Sequence, residues 1–173
     1  MAIRIKLFGE EHESLAESYR TLGVTQPNMY DYSSALQSVQ RALAIRIKLF
    51  GEEHESTADA YRDLGATQDI VKDYKAAIHS KQRALAIRIK LFGEEHESTA
   101  DSYRDLRATQ DKMKDYKAAL QSEQRVLAIR IKLFGEEHES TADCYRHLGA
   151  LQDKMKDYKA ALHSKQRVLA ILI

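Results

Sequence analysis

At 173 residues, with 27 Lys and Arg against 26 Asp and Glu, the chain carries a formal net charge of +1. That offers neither the basic excess that nucleic acid demands nor the acidic excess of a solvating tail. A single cysteine, Cys144, excludes an internal disulfide or a thiolate metal cluster. No apolar run approaches the roughly 20 residues of a membrane span, and nothing after Met1 has the pattern of a signal peptide. The expectation is therefore a cytoplasmic, staple-free chain with no cofactor, no membrane partner and no nucleic acid. One proline and seven glycines, with 43% hydrophobic and 31% charged residues, point to helix.

Near-identical text returns every 42 residues, at Gly9, Gly51, Gly93 and Gly135, each opening G-E-E-H-E-S. A fixed period in the 20 to 50 range signals a solenoid, in which each unit buries its apolar face only by stacking on its neighbours. The expected organisation is one repeat domain over residues 1–173. Residues 1–8 end a preceding helix, 9–50, 51–92 and 93–134 are full repeats, and 135–173 is a fourth with its second helix cut short. Repeats two and three differ at only eight of 42 positions, so the array is a recent duplication or a consensus-like, engineered sequence, and a segment of something longer.

Within one unit, Ser56-Thr57-Ala58-Asp59 has the form of a capping box and predicts a helix start. Ala58, Tyr61, Leu64, Gly65 and Gln68 then recur at three- and four-residue steps, giving helix A to about Asp69. Tyr74, Ala77, Ile78, Ala84, Leu85, Ile87, Ile89, Leu91 and Phe92 mark helix B from about Asp73, ended by Gly93. Pro27, the one proline, falls at the A-to-B break of the first copy. The fold class is all-α, an α-solenoid of stacked antiparallel helix pairs. The tyrosines and phenylalanines are expected in the core.

The order A-x-x-Y-x-x-L-G, D-Y-x-x-A-[LI], [AV]-L-x-I resembles the tetratricopeptide repeat. The matching residues are Tyr19, Tyr61, Tyr103 and Tyr145; Leu22, Leu64, Leu106 and Leu148; Gly23, Gly65 and Gly149; and Ala35, Ala77, Ala119 and Ala161. The 42-residue length resembles the variant of kinesin light chains and nephrocystin-3-like proteins. The resemblance implies a right-handed superhelix whose concave face, lined by A-helices, holds a partner protein or peptide. The chain departs from the pattern at Gln26, Gln68, Gln110 and Gln152, and at Val39, Lys81, Glu123 and Lys165, where family members often carry aromatics; a more polar contact between paired helices is expected. It also lacks the Lys and Asn residues by which some members clamp a peptide.

The candidate groove residues are Arg20, Asp59, Arg62, Asp63, Asp101, Arg104, Asp105, Asp143 and Arg146. Each arginine follows an acid by three residues, a surface pairing worth a few tenths of a kcal/mol. Either this is a self-neutralised, solvated face, or the guanidinium forks contact a bound peptide. His12, His54, His96 and His138 stand one repeat apart, too far to share a metal, and are expected to organise the turn before helix A. His79, His147 and His163 read as surface substitutions, Lys72, Lys75 and Lys81 as a solvated convex face, and Cys144 as a small packing residue. Arg107 stands where other copies have glycine; weaker packing and a gain in stability on reversion are expected. No catalytic motif occurs, so no enzyme is expected. The alternative to a peptide-binding scaffold is a structural, self-assembling element whose helix ends, Ile3, Ile5, Ile171, Leu172 and Ile173, form a homo-oligomer.

Overall fold

The computed structural model describes residues 12–25 and 32–173. Across them run eight helices: α1 (Glu13–Thr25), α2 (Tyr32–Phe50), α3 (Glu55–Ile70), α4 (Tyr74–Phe92), α5 (Glu97–Lys112), α6 (Tyr116–Phe134), α7 (Glu139–Lys154) and α8 (Tyr158–Leu172). No strand occurs among the described residues. The odd-numbered helices are the A-helices and the even-numbered ones the B-helices. The chain forms two compact units, Met1–Leu91 and Phe92–Ile173. The stub before Gly9 and the Pro27 break lie outside the described residues.

Each full helix A starts at Glu55, Glu97 or Glu139, one residue before the serine of the expected capping box. The cap is the histidine instead. His54, His96 and His138 adopt extended backbone, and their ring nitrogen accepts from the backbone N–H of Ser56, Ser98 and Ser140. His12 does the same for Ser14 at 3.2 Å. The rings of His54, His96 and His138 are also stacked on the last phenylalanine of the preceding helix B, Phe50 on His54 with centroids 4.7 Å apart. The histidines thus organise the turn, as expected, while the phenylalanines sit at the surface around them rather than in the core. The tyrosines of helix A are buried or half-buried, with a helix B arginine over each ring.

Gly51, Gly93 and Gly135 close helix B at φ of 86°, 90° and 94°, which only glycine adopts without strain. The A-to-B turn is a Schellman motif: Asp73 N–H reaches the Gln68 carbonyl at 2.9 Å and Lys72 N–H the Asp69 carbonyl at 3.2 Å. Its left-handed residue is Lys72, and likewise Lys114 and Lys156, at φ near 63°. Lys72 is therefore a turn residue, a correction to its reading as part of a helical convex face.

In the first unit, Leu15, Tyr19 and Ala42 join α1 to α2, and Val39, Leu43, Ala60 and Leu64 join α2 to α3. In the second, Ala100, Val126, Ile129 and Cys144 join α5, α6 and α7. The paired helices approach closely where Ala35, Ala77, Ala119 and Ala161 are buried. A Cβ on Gly23 would fall 2.5 Å from Val39 Cγ1, so glycine is required there. The expected polar contact between paired helices is present. Ser80 Oγ donates to Gln68 Oε1 at 2.7 Å, Ser122 repeats the bond to Gln110, and Ser164 meets Gln152 at 2.7 Å.

Candidate functional site

The four arginines of the expected groove stand on successive A-helices, from about a third to more than half exposed: Arg20 on α1, Arg62 on α3, Arg104 on α5 and Arg146 on α7. Their side-chain exposures are 35%, 45%, 51% and 57%. Each pairs with the acid one turn earlier. Arg20 forks onto Glu17 with bonds of 2.6 to 3.0 Å, Arg104 meets Asp101 at 2.9 Å, Arg62 lies 3.9 Å from Asp59, and Arg146 pairs with Asp143. In the first unit, Asp63 is drawn between Arg62, at 4.0 Å, and Arg20, at 3.9 Å, so four of the expected residues form one cluster. Burial holds the Asp63 carboxyl above the ordinary carboxylate range despite those two arginines. Asp105 is half-buried at the matching place on α5.

Sequence reasoning missed what holds these acids. Arg46 on α2, Arg88 on α4 and Arg130 on α6 are buried arginines of the A-I-R-I segment. Arg46 reaches Glu17 at 3.2 Å, Arg88 reaches Asp59 at 2.7 Å, and Arg130 reaches Asp101 at 3.0 Å as well as Glu97 at 2.9 Å. Every such acid is shared between a buried arginine from helix B and an exposed one from helix A. The signal was in the sequence, since a charge recurring inside an apolar stripe needs a partner. In the fourth copy Leu172 occupies that place, so Asp143 has no helix B arginine.

A second polar cluster joins α5, α6 and α7. Glu123, on α6, is 1% exposed; its Oε2 lies 2.9 Å from Arg107 Nε of α5, and its Oε1 lies 3.4 Å from His147 Nδ1 of α7. The 2.9 Å approach is an ion pair off linear hydrogen-bond geometry. Arg107 therefore does not splay its repeat: it neutralises a buried carboxylate, and the expected gain on reversion to glycine loses its physical basis. Likewise His147 is more than a surface substitution. Lys81 is buried and bonded to Asp69 at 2.7 Å, which removes it from the solvated face and leaves only Lys75 exposed there. Cys144 is a buried packing residue, its thiol pushed up to about 12 by burial and by the neighbouring Glu123 charge. Among the described residues, no group of three His, Cys, Asp or Glu side chains could hold a metal ion, and no helix is long and apolar enough to cross a membrane.

This fold, helix pairs of 42-residue period with small residues at the crossing, defines a class. Tetratricopeptide repeat matches cover residues 28–90, 70–132 and 112–173, and the chain belongs to the tetratricopeptide repeat family. The sequence matches no curated protein. Among solved structures, it is similar to a putative kinesin light chain of Podospora anserina with nearly identical repeats, at 22% identity and a TM-score of 0.85, over 98% of this chain and 81% of that one. It is similar to BtubC of P. vanneervenii at 22% identity and a TM-score of 0.79, over 91% of this chain and 63% of that one. RapI matches at 21% identity and a TM-score of 0.74, over 92% of this chain and 43% of RapI. The chain thus spans less than two thirds of the length of two of these, and identities this low speak for the fold.

Proposed function

We propose that the chain is a non-catalytic scaffold that binds a peptide segment of a partner protein, in the cytoplasm, on the A-helix faces of its units, which bear Arg20 and Arg62 in the first and Arg104 and Arg146 in the second. The observation carrying this reading is the relay from a buried helix B arginine, through a shared acid, to an exposed helix A arginine. A free surface arginine must lose rotamer freedom to bind. For Arg20, Arg62 and Arg104 the acid that orients the exposed guanidinium is itself fixed by a buried partner, so part of that entropy is lost on folding rather than on binding. Guanidinium donors left outward suit backbone carbonyls and carboxylates of a peptide. Membership of the tetratricopeptide repeat family supports the same reading.

The test is selection from a displayed random peptide library. Enriched peptides should carry acidic residues, and Arg62→Ala with Arg104→Ala should weaken them at least tenfold, with the loss growing at low salt. Binders indifferent to both substitutions would place the ligand elsewhere.

A further inference from the structure

We infer that the arginine pair of the first unit is closed by the chain's own acid and that of the second is open, so that Arg104 and Arg146 take an aspartate or glutamate side chain of the bound peptide. The inference rests on the peptide-binding reading and adds the residue class that anchors the peptide and the unit that takes it. The first unit shows what the arginines of two neighbouring A-helices hold between them. Asp63 of α3 places Oδ2 3.9 Å from Arg20 of α1 and Oδ1 4.0 Å from Arg62 beside it. Its side chain is only 15% exposed, so the carboxylate is set into the surface between the two guanidinium groups. That is the arrangement by which paired arginines take an acid from a ligand, here supplied from within the chain.

Two periods on, His147 follows Arg146 as Asp63 follows Arg62. In that register the residue serves the arginine of the A-helix before it, which for α7 is Arg104 of α5. Residue 147, and not Asp105 of α5, therefore decides whether the pair of Arg104 and Arg146 is filled. An imidazole brings no carboxylate there. The acid that His147 does meet, Glu123 at 3.4 Å from Nδ1, is buried and faced by Arg107 at 2.9 Å, so its charge is neutralised beneath the surface instead of being presented to a ligand. His147 is 41% exposed against 15% for Asp63, and Arg104 and Arg146 are more exposed than Arg20 and Arg62. Arg104 pairs with Asp101 and Arg146 with Asp143, each on its own helix, and Arg130 neutralises Asp101 from below at 3.0 Å. Exposed pairs of this kind are weak, so a ligand carboxylate can share their cations.

Oligoglutamate, with oligoglutamine of equal length as control, tests this on the full chain by calorimetry and by NMR of the arginine Nε–H groups. The unaltered chain should bind oligoglutamate and not oligoglutamine, shifting the signals of Arg104 and Arg146 and leaving those of Arg20 and Arg62 in place. His147→Asp gives the second unit the carboxylate that the first carries and should weaken binding about tenfold or more. His147→Asn, which adds no charge, should leave the affinity within about twofold. Asp63→Asn should do the reverse and add a second site that moves the Arg20 and Arg62 signals; it carries the test alone should His147→Asp, with a new carboxylate close to Glu123, lose its helical circular dichroism. An unaltered chain that does not bind oligoglutamate, Arg20 and Arg62 responding first, a folded His147→Asp variant that binds as before, or no added site in Asp63→Asn would each overturn the inference. Library-selected peptides weakened by Arg62→Ala with Arg104→Ala yet indifferent to His147→Asp would overturn it while leaving the peptide-binding reading intact.

Discussion

Replacing Arg107 by glycine, the residue of the other three copies, should destabilise the chain. Glu123 is 1% exposed and Arg107 supplies the cation 2.9 Å from its Oε2. Removing one partner of a buried pair leaves an uncompensated charge, which in buried sites costs about 3–5 kcal/mol. His147 at 3.4 Å and 16% exposure of the Arg107 side chain moderate that figure. Glycine in a helix interior adds about 0.5–1 kcal/mol. A loss of about 2–4 kcal/mol follows, or a fall in Tm of about 5–15 °C for a chain of this size. The companion change is Glu123→Val, which recreates the first copy, where Gly23 faces the buried Val39. An apolar pair in place of a buried ion pair is often neutral or stabilising, so Arg107→Gly with Glu123→Val should return within about 1 kcal/mol of the starting stability. Thermal and urea unfolding of both single variants and the double variant complete the cycle. A Tm unchanged or raised by Arg107→Gly alone, or additive losses in the double variant, would refute the reasoning.

Four further outcomes follow from the same geometry. With its thiol pushed up to about 12, Cys144 should react with a disulfide reagent at pH 8 about 10³-fold more slowly than a free cysteine, and at the ordinary rate once unfolded; fast reaction of the folded chain would contradict its burial. Burial raises the Asp63 carboxyl, so its charged form opposes folding above that pKa and the opposition is relieved as pH falls through it. Asp63→Asn should therefore raise Tm by about 1–3 °C near neutrality, with the gap closing in acid, whereas a gap constant from neutral to acid pH would count against it. Gly149→Ala has 3.5 Å of clearance to Ser164 Cβ and should gain about 0.5–1 kcal/mol in a urea melt, while Gly23→Ala meets Val39 Cγ1 at 2.5 Å and should lose stability. Leu172→Arg should supply Asp143 with the partner that Arg130 gives Asp101, raising stability by about 0.5–1 kcal/mol; no gain in the melt, or a gain that persists with Asp143→Asn, would argue against that pairing.

Helix number, helix type and the positions of the turns were legible because they follow from periodicity, which is a local property of the chain. The spacing of Ala58, Tyr61, Leu64 and Gln68 places α3 to within a residue at each end. The cap was misplaced because Ser-Thr-Ala-Asp satisfies a local pattern, while the histidine wins through a contact the pattern does not include, its stacking on a phenylalanine four residues back across the glycine turn. The phenylalanines were misplaced for the same reason. Apolar character says that a side chain avoids water and is silent on whether it does so in a core or on a neighbouring ring.

The buried charges mark the deeper limit. Lys81, Arg107 and Glu123 were read without their partners and Arg88 was not singled out, because nothing local to a charged residue says which charge, if any, it meets on another helix. Their partners lie 12 to 29 residues away, on the other helix of the pair. Comparison between copies nonetheless carries the information. Of the eight positions at which repeats two and three differ, 65/107 and 81/123 carry the changes of charge at the helix crossing, and they are in contact with one another: glycine accompanies valine or lysine, and arginine accompanies glutamate. Were the differences drift on a permissive surface, nothing would tie a gained arginine to a gained glutamate 16 residues later. A buried carboxylate cannot persist without its cation, so the two substitutions are one event in physical terms. The third repeat is therefore a re-paired copy of the second, and its junction with α7, where His147 joins the same carboxylate, is the place at which an otherwise uniform array acquires a distinct chemistry.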